Sequence, residues 1–284
     1  MQSLSPNDPD ALAACSPLTL AGLWFYPVKS CVGIALSAAR IGPHGSIEGD
    51  REWAVVNAAG EATWQGEFPR MALIRPQLEA GWLTLHAPGI EPLRIARDAS
   101  RAARELKIWN EAKAGFDLVE AEDAGDEARR WLRAVLGKDL SLMRQTPGAP
   151  TRPGLNPLHI ISTASLDALN QQLPAAVEVE RFRPNLLVAA AEAGGLSPFD
   201  EQRMDALLFE TGAAAVTFHG ACVRCVMPNI DLATAEVGVE PLASIARISE
   251  ERERGSPARF GAYGRSTPGA RFEVGMPLWG RLDF

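Results

Sequence analysis

Short apolar runs separated by turn-forming residues restrict this chain to a fold made mainly of β-strands. Between residues 18 and 96 these runs are "LTLAGLWFYPVKS", "REWAVVN", "ATWQ", "MALIRP", "WLTLH" and "PLRIA". Their β-branched and aromatic residues favour strands, and the Gly in "NAAGE" at 57–61 is typical of a tight hairpin. We therefore predict a twisted antiparallel sheet or a small barrel in this part of the chain.

Two predicted helices interrupt the strand pattern. The first, "DAGDEARRWLRAVLG" at 123–137, has acidic residues at its start, an apolar stripe and a Gly that ends it. The second, "TASLDALNQQL" at 163–173, follows the strand "LHIIS" and is capped by Ser162 or Thr163. From residue 181 the pattern is again mostly β, in "FRPNLLVAA", "DALLFE", "AAVTFHG", "CVMPNID" and "RFEVGMPLWGRL".

These patterns predict an α+β fold that is mostly β, with two β-rich parts joined near residue 138. Residues 1–17 are rich in Pro, Asp, Ser and Ala, so we expect a disordered arm there. The first β-rich region then covers 18–138, and the second covers 139–284. Between them, "QTPGAPTRPGLNP" at 145–157 is a loop rich in Pro and Gly and long enough to be functional.

Charge and hydropathy exclude several classes of function. The formal net charge of -7 argues against a nucleic-acid partner, because such proteins normally present a basic face. No apolar run approaches the roughly 20 residues that span a bilayer, and the first residues do not resemble a secretory signal. We therefore expect a cytoplasmic protein without a membrane partner, in which the four cysteines stay reduced.

The most specific short motif is the pair of cysteines in "FHGACVRCVMPNID" at 218–231. A structural zinc site needs about four nitrogen or sulfur ligands, whereas Cys222, Cys225 and His219 offer three. A thioredoxin-type pair opens a helix after a strand, but here a Pro and β-type residues follow. The third alternative is a pair of half-buried cysteines without a chemical role.

Arg224, between the two cysteines, makes that third alternative less attractive. A guanidinium beside two thiols stabilises a thiolate, and it also suits an anion held in a bidentate fork. A thiolate next to an anion site fits a soft, high-valent metal carried by an anionic cofactor, which supplies the remaining ligands. If "ACVRCV" is extended, Cys222 and Arg224 point to one face and Cys225 points to the other.

Six motifs in the order of the chain carry a family resemblance. They are "LWFYPVKSC" at 23–31, "DREW" at 50–53, "RFRPNLLV" at 181–188, "CVRC" at 222–225, "FGAY" at 260–263 and "VGMPLW" at 274–279. Together they resemble the MOSC proteins that bind the molybdenum cofactor, in the branch that includes the mitochondrial amidoxime reducing component and its bacterial relatives. The resemblance implies an N-terminal MOSC β-barrel-like region followed by a C-terminal MOSC β-barrel domain with a few helices.

The resemblance also implies which residues hold the cofactor. Cys225 occupies the position of the thiolate that ligates molybdenum, and Lys29 and Ser30 match the pair that binds the phosphate end of the pterin. Further cofactor contacts fall on Arg51, Asn156, Arg183, Asn185, Val223, Arg224 and Tyr263. The basic side chains among these suit a doubly charged phosphate, and an amide such as Asn185 suits a pterin edge. The family more often has a small polar residue where Val223 stands, and Asp231 is interpreted as a structural turn residue.

The implied function is molybdenum cofactor-dependent reduction of N-hydroxylated or other N-oxygenated small molecules. The family is also associated with pyridoxal phosphate binding. We expect neither a membrane anchor nor a ferredoxin-like domain on this chain, so a separate electron-transfer protein of the ferredoxin, flavodoxin or cytochrome b5 type would supply electrons. Two alternatives stay open. One is a sulfur or molybdenum cofactor carrier with a persulfide on Cys225 or Cys222, and the other is a non-catalytic β-barrel binding module.

Overall fold

The structure is a computed structural model that describes residues 12–99, 101–110, 113–146, 157–192 and 194–283. The predicted class, α+β and mostly β, is confirmed. The first half contains β1 (Ser16–Phe25), β2 (Ile34–Ala35), β3 (Ala38–Arg40), β4 (Trp53–Val56), β5 (Arg75–Glu79), β6 (Trp82–Ala87), β7 (Ile90–Ala96), β8 (Ala103–Asn110), β9 (Gly115–Asp123), α1 (Asp126–Leu136) and β10 (Ser141–Gln145). The second half contains β11 (Leu158–Ser162), α2 (Thr163–Asn170), β12 (Leu186–Ala190), β13 (Met204–Leu208), β14 (Ala214–Val223), α3 (Leu242–Arg252), β15 (Arg259–Ser266), β16 (Arg271–Glu273) and β17 (Pro277–Leu282).

Seven strands form a closed barrel that contains the larger core. Their order is β12-β11-β15-β14-β13-β17-β1, and β1 closes the ring by pairing with β12. Neighbours are antiparallel except β11 and β12, which run parallel. The interior is filled by apolar side chains that are almost fully buried, among them Leu20, Ile160, Val188, Leu207 and Leu278. Closure leaves few unpaired strand edges on this part of the molecule.

Two smaller sheets form the other β-rich part. One has the order β4-β10-β9-β8 and the other has the order β5-β6-β7, while β3 pairs with β16. Helix α1 packs its apolar stripe, including Trp131 and Leu132, into a core shared with Trp53 and Leu83. Gly137 ends α1 in the left-handed conformation, as its sequence pattern predicted.

The strand pairing crosses the predicted junction near residue 138 in both directions. Strand β1, from the first predicted region, pairs with β12 and β17 in the barrel. Strand β10, from the second predicted region, pairs with β4 and β9 in the four-stranded sheet. Both exchanges join parts of the chain that are distant in sequence, so the barrel and the four-stranded sheet each contain strands from both predicted regions.

Several elements predicted from sequence were wrong or missing. "ATWQ" at 62–65 forms no strand, and Ala62 makes only an isolated bridge to Val56. The segments around 69–73 and 227–229 are 3₁₀ helices with a Pro in their first turn, because Pro fixes φ and cannot donate to a sheet. Helix α3 and five strands were not predicted: β2, β3, β8, β9 and β10.

Other sequence-based predictions agree with the structure at particular residues. Ser162 caps α2 by accepting the N–H of Ser165 through its side-chain oxygen, at 3.1 Å. Of the predicted arm, residues 1–11 lie outside the described residues, and β1 begins within it at Ser16. Among the helices of the described residues, none has the length and apolar composition needed to cross a membrane.

Candidate functional site

Tyr26, which follows β1, lies at the centre of the first half of the site. Its ring lies between two guanidinium groups, with the Cζ of Arg51 4.5 Å and the Cζ of Arg183 4.1 Å from the ring centroid. Its hydroxyl donates to the carbonyl of Pro184 at 3.0 Å, and its N–H donates to Asp50 Oδ1 at 2.7 Å. A buried aromatic ring thus holds together segments that are far apart in sequence.

Asn185 connects this cluster to the barrel. The side chain is fully buried, and its Oδ1 accepts from Arg51 Nη1 at 3.2 Å. Its Nδ2 donates to the carbonyl of Trp24 at 3.1 Å. Arg51 also forms an ion pair with Asp50. The predicted contacts Arg51, Arg183 and Asn185 therefore lie in one cluster.

Three predicted cofactor contacts have a left-handed backbone conformation. The φ angles are 63° at Ser30, 55° at Arg51 and 56° at Arg183. Residues other than Gly are uncommon in this region, and such exceptions cluster at ligand sites and switches. Each of these three residues lies at a turn or an end of a segment that enters the cluster. The strained backbone therefore lies where their side chains enter the cluster.

Arg183 combines burial with an unused hydrogen-bond donor. Its Nη1 donates to the carbonyl of Cys31, whereas its buried Nη2 makes no hydrogen bond with any described residue. Burial lowers the pKa of Arg183 to about 10, and the nearby charge of Arg51 acts in the same direction. Burial also raises the pKa of Cys31 to about 12, so that thiol stays neutral. The guanidinium is thus charged at neutral pH and short of an acceptor.

Lys29 approaches the same cluster from the side of the four-stranded sheet. It is half-buried, and its Nζ donates to the carbonyl of Thr63 at 2.8 Å. Its N–H donates to the carbonyl of Trp53 at 2.7 Å, which fixes the turn after β1. The charges of Lys29 and Arg183 both act on Cys31, so the two cations flank one turn.

The second half of the site lies where β14 ends. The N–H of Arg224, one residue beyond the strand, donates to the carbonyl of Ala258 at 2.8 Å, and the register of β14 against β15 shifts between Ala221 and Val223. Arg224 contacts Cys222, with its Nη1 3.1 Å from the Cys222 sulfur. Its Nη2 donates to the carbonyl of Phe182 at 3.0 Å, and its buried Nε makes no hydrogen bond within the described residues.

Charge at Cys222 is controlled by its neighbours. Burial raises the pKa of this thiol, but Arg224 and His159 outweigh burial and lower the pKa to about 6. Burial lowers the pKa of Arg224, but the negative charge of Cys222 raises it, and the net effect is a raised pKa. Cys222 is 1% exposed, whereas Cys225 is exposed and Val223 is 55% exposed. The two cysteines of the motif thus lie in different environments.

His159 on β11 joins the two halves and was missed in the sequence. Its N–H donates to Asn185 Oδ1 at 3.2 Å, and its carbonyl accepts the N–H of Asn185 at 2.7 Å. Its ring Nε2 lies 3.4 Å from both Arg224 Nη1 and the carbonyl of Phe260. The predicted contact Tyr263 pairs with His159 across β11 and β15, with ring centroids 5.6 Å apart.

The remaining predicted residues have separate positions. Asn156 lies outside the described residues, so it stays a prediction. Asp231 accepts the N–H groups of Ala233 and Thr234, which agrees with a turn residue. His219 is exposed on β14, and the described residues contain no group of three His, Cys, Asp or Glu side chains able to hold a metal. This arrangement gives no support to the zinc alternative.

Asp50 and His159 were the polar residues that sequence reasoning did not assign to the site. Asp50 is 1% exposed and lies within the quoted motif "DREW", and His159 is 3% exposed within the apolar strand "LHIIS". The signal that could have found them was a charged or titratable residue inside or beside a buried run, where it needs partners.

Comparison with known proteins gives two family matches and several relatives. Residues 18–139 match the profile described as "MOSC N-terminal beta barrel domain", and residues 149–278 match "MOSC domain". Mitochondrial amidoxime reducing component 2 of Rattus norvegicus is 29% identical, over 93% of this chain and 84% of the relative. Mitochondrial amidoxime-reducing component 1 of Homo sapiens is 28% identical, over 92% and 82%. Molybdenum cofactor sulfurase of Danio rerio is 30% identical over 87% of this chain, which spans only 32% of that relative.

Proposed function

The chain is a MOSC-domain protein, in which a MOSC N-terminal β-barrel domain precedes the MOSC domain, and on this premise we propose that it binds the molybdenum cofactor and reduces N-oxygenated compounds. Two relatives that match over most of both chains are named amidoxime reducing components. An amidoxime carries an oxygen on nitrogen, so the proposed substrates are N-hydroxylated bases and related N-oxygenated small molecules.

The observation that carries the proposal is a pair of unused donors on one connected cluster. Arg183 Nη2 and Arg224 Nε are both buried and make no hydrogen bond with a described residue. A buried donor without an acceptor costs free energy, so native proteins normally satisfy such groups. His159 links Arg224 to Asn185 through hydrogen bonds, and Asn185 accepts from Arg51. Arg51 and Arg183 both lie over the Tyr26 ring, which brings Arg183 into the same cluster. An anionic ligand with several acceptor oxygens fits this arrangement, and the exposed sulfur of Cys225 lies next in the chain to Arg224.

The predicted cofactor-binding residues differ in the part of the cofactor that they would hold. Cys225 holds the metal through its thiolate, and Lys29, Ser30, Arg51 and Arg183 bind the phosphate end. Asn185 and Tyr263 orient the pterin, with Asn156 and the backbone near Val223 as further contacts. When bound, the molybdenum cofactor supplies the two-electron reduction through which the substrate oxygen leaves as water. Electrons come from a separate ferredoxin, flavodoxin or cytochrome b5-type protein, while pyridoxal phosphate binding and a cytoplasmic location stay predictions.

Cofactor analysis tests the first part of the proposal. We expect protein from a cofactor-competent host to contain molybdenum and pterin in equal amounts, near one per chain. Arg183→Gln should lower both, whereas Arg40→Gln, on a side chain that is 66% exposed, should change neither. Protein without pterin, from a host that loads a known molybdenum enzyme, would contradict the proposal.

Activity of the loaded protein tests the second part. With reduced viologen as the electron donor, we expect an amidoxime or a hydroxylamine to be reduced. Cys225→Ser should abolish turnover and alter the X-ray absorption spectrum of the metal, whereas Cys222→Ser should keep the metal in an unchanged ligand environment. Equal loss in the two variants, with two protein sulfurs at the metal, would refute the single-thiolate site.

The second candidate function is a sulfur or cofactor carrier. Cys222 favours it, because a thiol with a pKa of about 6 is largely ionised at neutral pH, as sulfur transfer requires. The match to molybdenum cofactor sulfurase also favours it, although it covers only a third of that protein. Mass spectrometry after incubation with a persulfide donor distinguishes the two functions. A stable persulfide on Cys222 or Cys225, together with no reduction of amidoximes, would favour the carrier.

A further inference from the structure

We propose that Cys222 is a positioning residue, present as a thiolate that holds Arg224 in place, and that His159 ties this ion pair to Asn185. The inference rests on the proposed function only for its effect on the cofactor. The ion pair itself is a property of the protein without any ligand. Neither Cys222 nor His159 was among the residues that the resemblance assigned to the cofactor.

The contacts of Arg224 show why a counter-charge is needed beside it. Its backbone N–H and its Nη2 both donate to carbonyls, those of Ala258 and Phe182. Neutral carbonyls orient a guanidinium but leave its charge uncompensated. Among the described residues, Cys222 has its sulfur 3.1 Å from Nη1 and is able to carry a full negative charge. Tyr263 and Cys225 act on the charge of Arg224 in the same direction but to a smaller extent.

The surroundings of Cys222 agree with an anion. The groups that face its sulfur are Arg224 from the end of β14, His159 from β11 and Tyr263 from β15. All three act in the direction that favours the thiolate, so they outweigh burial in the apolar barrel wall. The rival state is a neutral thiol that donates to the carbonyl of Val223, 3.6 Å from the sulfur.

His159 extends the pair to the cluster around Tyr26. Its backbone makes two hydrogen bonds with Asn185, so a shift of β11 at this point moves both halves of the site. Its Nε2 is equally distant from a donor, Arg224 Nη1, and an acceptor, the carbonyl of Phe260. One ring nitrogen cannot accept from Arg224 and donate to the carbonyl of Phe260 at the same time, so the position of the ring proton decides which neighbour His159 contacts.

The geometry also limits what Arg224 does for a ligand. With Nη1 on Cys222 and Nη2 on Phe182, its fork is engaged, and Nε is the donor that remains. Arg224 therefore acts through its charge and one N–H, not through bidentate phosphate binding. Loss of the thiolate would release Nη1 and let the guanidinium rotate away from Cys225.

Titration of the cofactor-free protein tests the ion pair directly. Thiolate absorbance near 240 nm is followed against pH, and the contribution of Cys222 is the difference between the unchanged protein and Cys222→Ser. We expect the midpoint of this difference to give a pKa of about 6. In Arg224→Gln we expect the pKa of Cys222 to be higher. A midpoint near about 8.5, the value of an unperturbed cysteine, would overturn the proposal. If a variant fails to fold, the Cβ chemical shift of labelled cysteine in the unchanged protein decides the same question.

Cofactor release tests the positioning role. Because supporting contacts typically cost 10-fold or more in affinity when lost, we expect release from Cys222→Ser to be about 10-fold faster. Cys222→Asp should restore part of the retention, since it keeps the charge, and His159→Leu should speed release more than His159→Gln. Equal release rates in all four variants and the unchanged protein would overturn the positioning role. If the unchanged protein binds no cofactor, the proposed function fails, while the titration still decides the ion pair.

Discussion

Replacing Gly261 by alanine places a methyl group where His159 packs against β15. Gly261 has a φ of +74°, and a Cβ at this residue would lie 2.4 Å from His159 Nε2 and 2.7 Å from the carbonyl oxygen of Ile160. Both distances are well inside van der Waals contact, and the second involves backbone that cannot rotate away. The substitution therefore strains the site itself and not only the turn.

The expected loss of stability has two parts. A left-handed conformation costs a residue with a Cβ roughly 1–2 kcal/mol relative to Gly. Overpacking by one methyl in a tightly packed region costs a further 1–3 kcal/mol, so Gly261→Ala should lose about 2–5 kcal/mol. Gly89 is the matched control, because its φ is +72° and a Cβ added there would have no described atom within 4 Å. Gly89→Ala should lose only the first part, about 1–2 kcal/mol.

Urea unfolding of the two variants and the unchanged protein gives the comparison. The two losses are read from the shift in midpoint at a constant slope. We also expect Gly261→Ala to shift the thiolate titration of Cys222, because it displaces His159, whereas Gly89→Ala should not. If the two variants lost the same stability to within about 0.5 kcal/mol, ordinary context scatter would explain the result, and the packing of His159 against Gly261 would be refuted.

Three further predictions concern charge and electron supply. Burial raises the pKa of Glu201, so the folded state keeps this proton to a higher pH than the unfolded state does. The unchanged protein should therefore lose stability as the pH rises above 4.5, and Glu201→Gln should lack this loss. A stability difference between the two proteins that does not change with pH would contradict the assignment. Lys29→Gln should lower the molybdenum and pterin content of the protein, whereas Lys138→Gln, on an exposed residue, should not. If the two variants contained equal amounts of both, Lys29 would not belong to the site. NADH or NADPH alone should not support turnover, because the chain has no G-x-G-x-x-G between a strand and a helix. Oxidation of NADH by the pure protein, coupled to amidoxime reduction, would contradict this prediction.

Local pattern was sufficient for elements that carry their own signals. Helix α1 combines an apolar stripe with acidic residues at its start and Gly137 at its end, so its end was predicted at Gly137, although it begins at Asp126 and not at residue 123. Strands β6 and β7 have alternating burial that follows their sequence. Helix α3 was missed because its N-cap residue, Pro241, has no capping side chain and its apolar face is weak. Its first N–H groups bond to Asn229 and Glu240, and its buried face packs on Ile161 and Phe260.

The candidate site was only partly readable, because several of its residues act through distant partners. Cys225 was predicted as a metal ligand with Arg224 as its neighbour, because a thiol next to a guanidinium is visible from two adjacent residues alone. Cys222 and Cys225 are alike in sequence, but one is buried against Arg224 and the other is exposed. That difference depends on β15 and Phe182, which are more than 30 residues away.

The sequence by itself determined that the chain forms β-strands with a few helices and carries a thiol next to an arginine, since periodicity and neighbouring charges act over a few residues. The tertiary structure alone decided that β1 crosses into the barrel, that Tyr26 lies between Arg51 and Arg183, and that His159 connects Asn185 with Arg224. The contacts around Tyr26 join residues as far as 158 positions apart, as between Tyr26 and Pro184. Burial and hydrogen-bond partners across such separations arise from strand register, and no local pattern specifies which distant strand will be the neighbour.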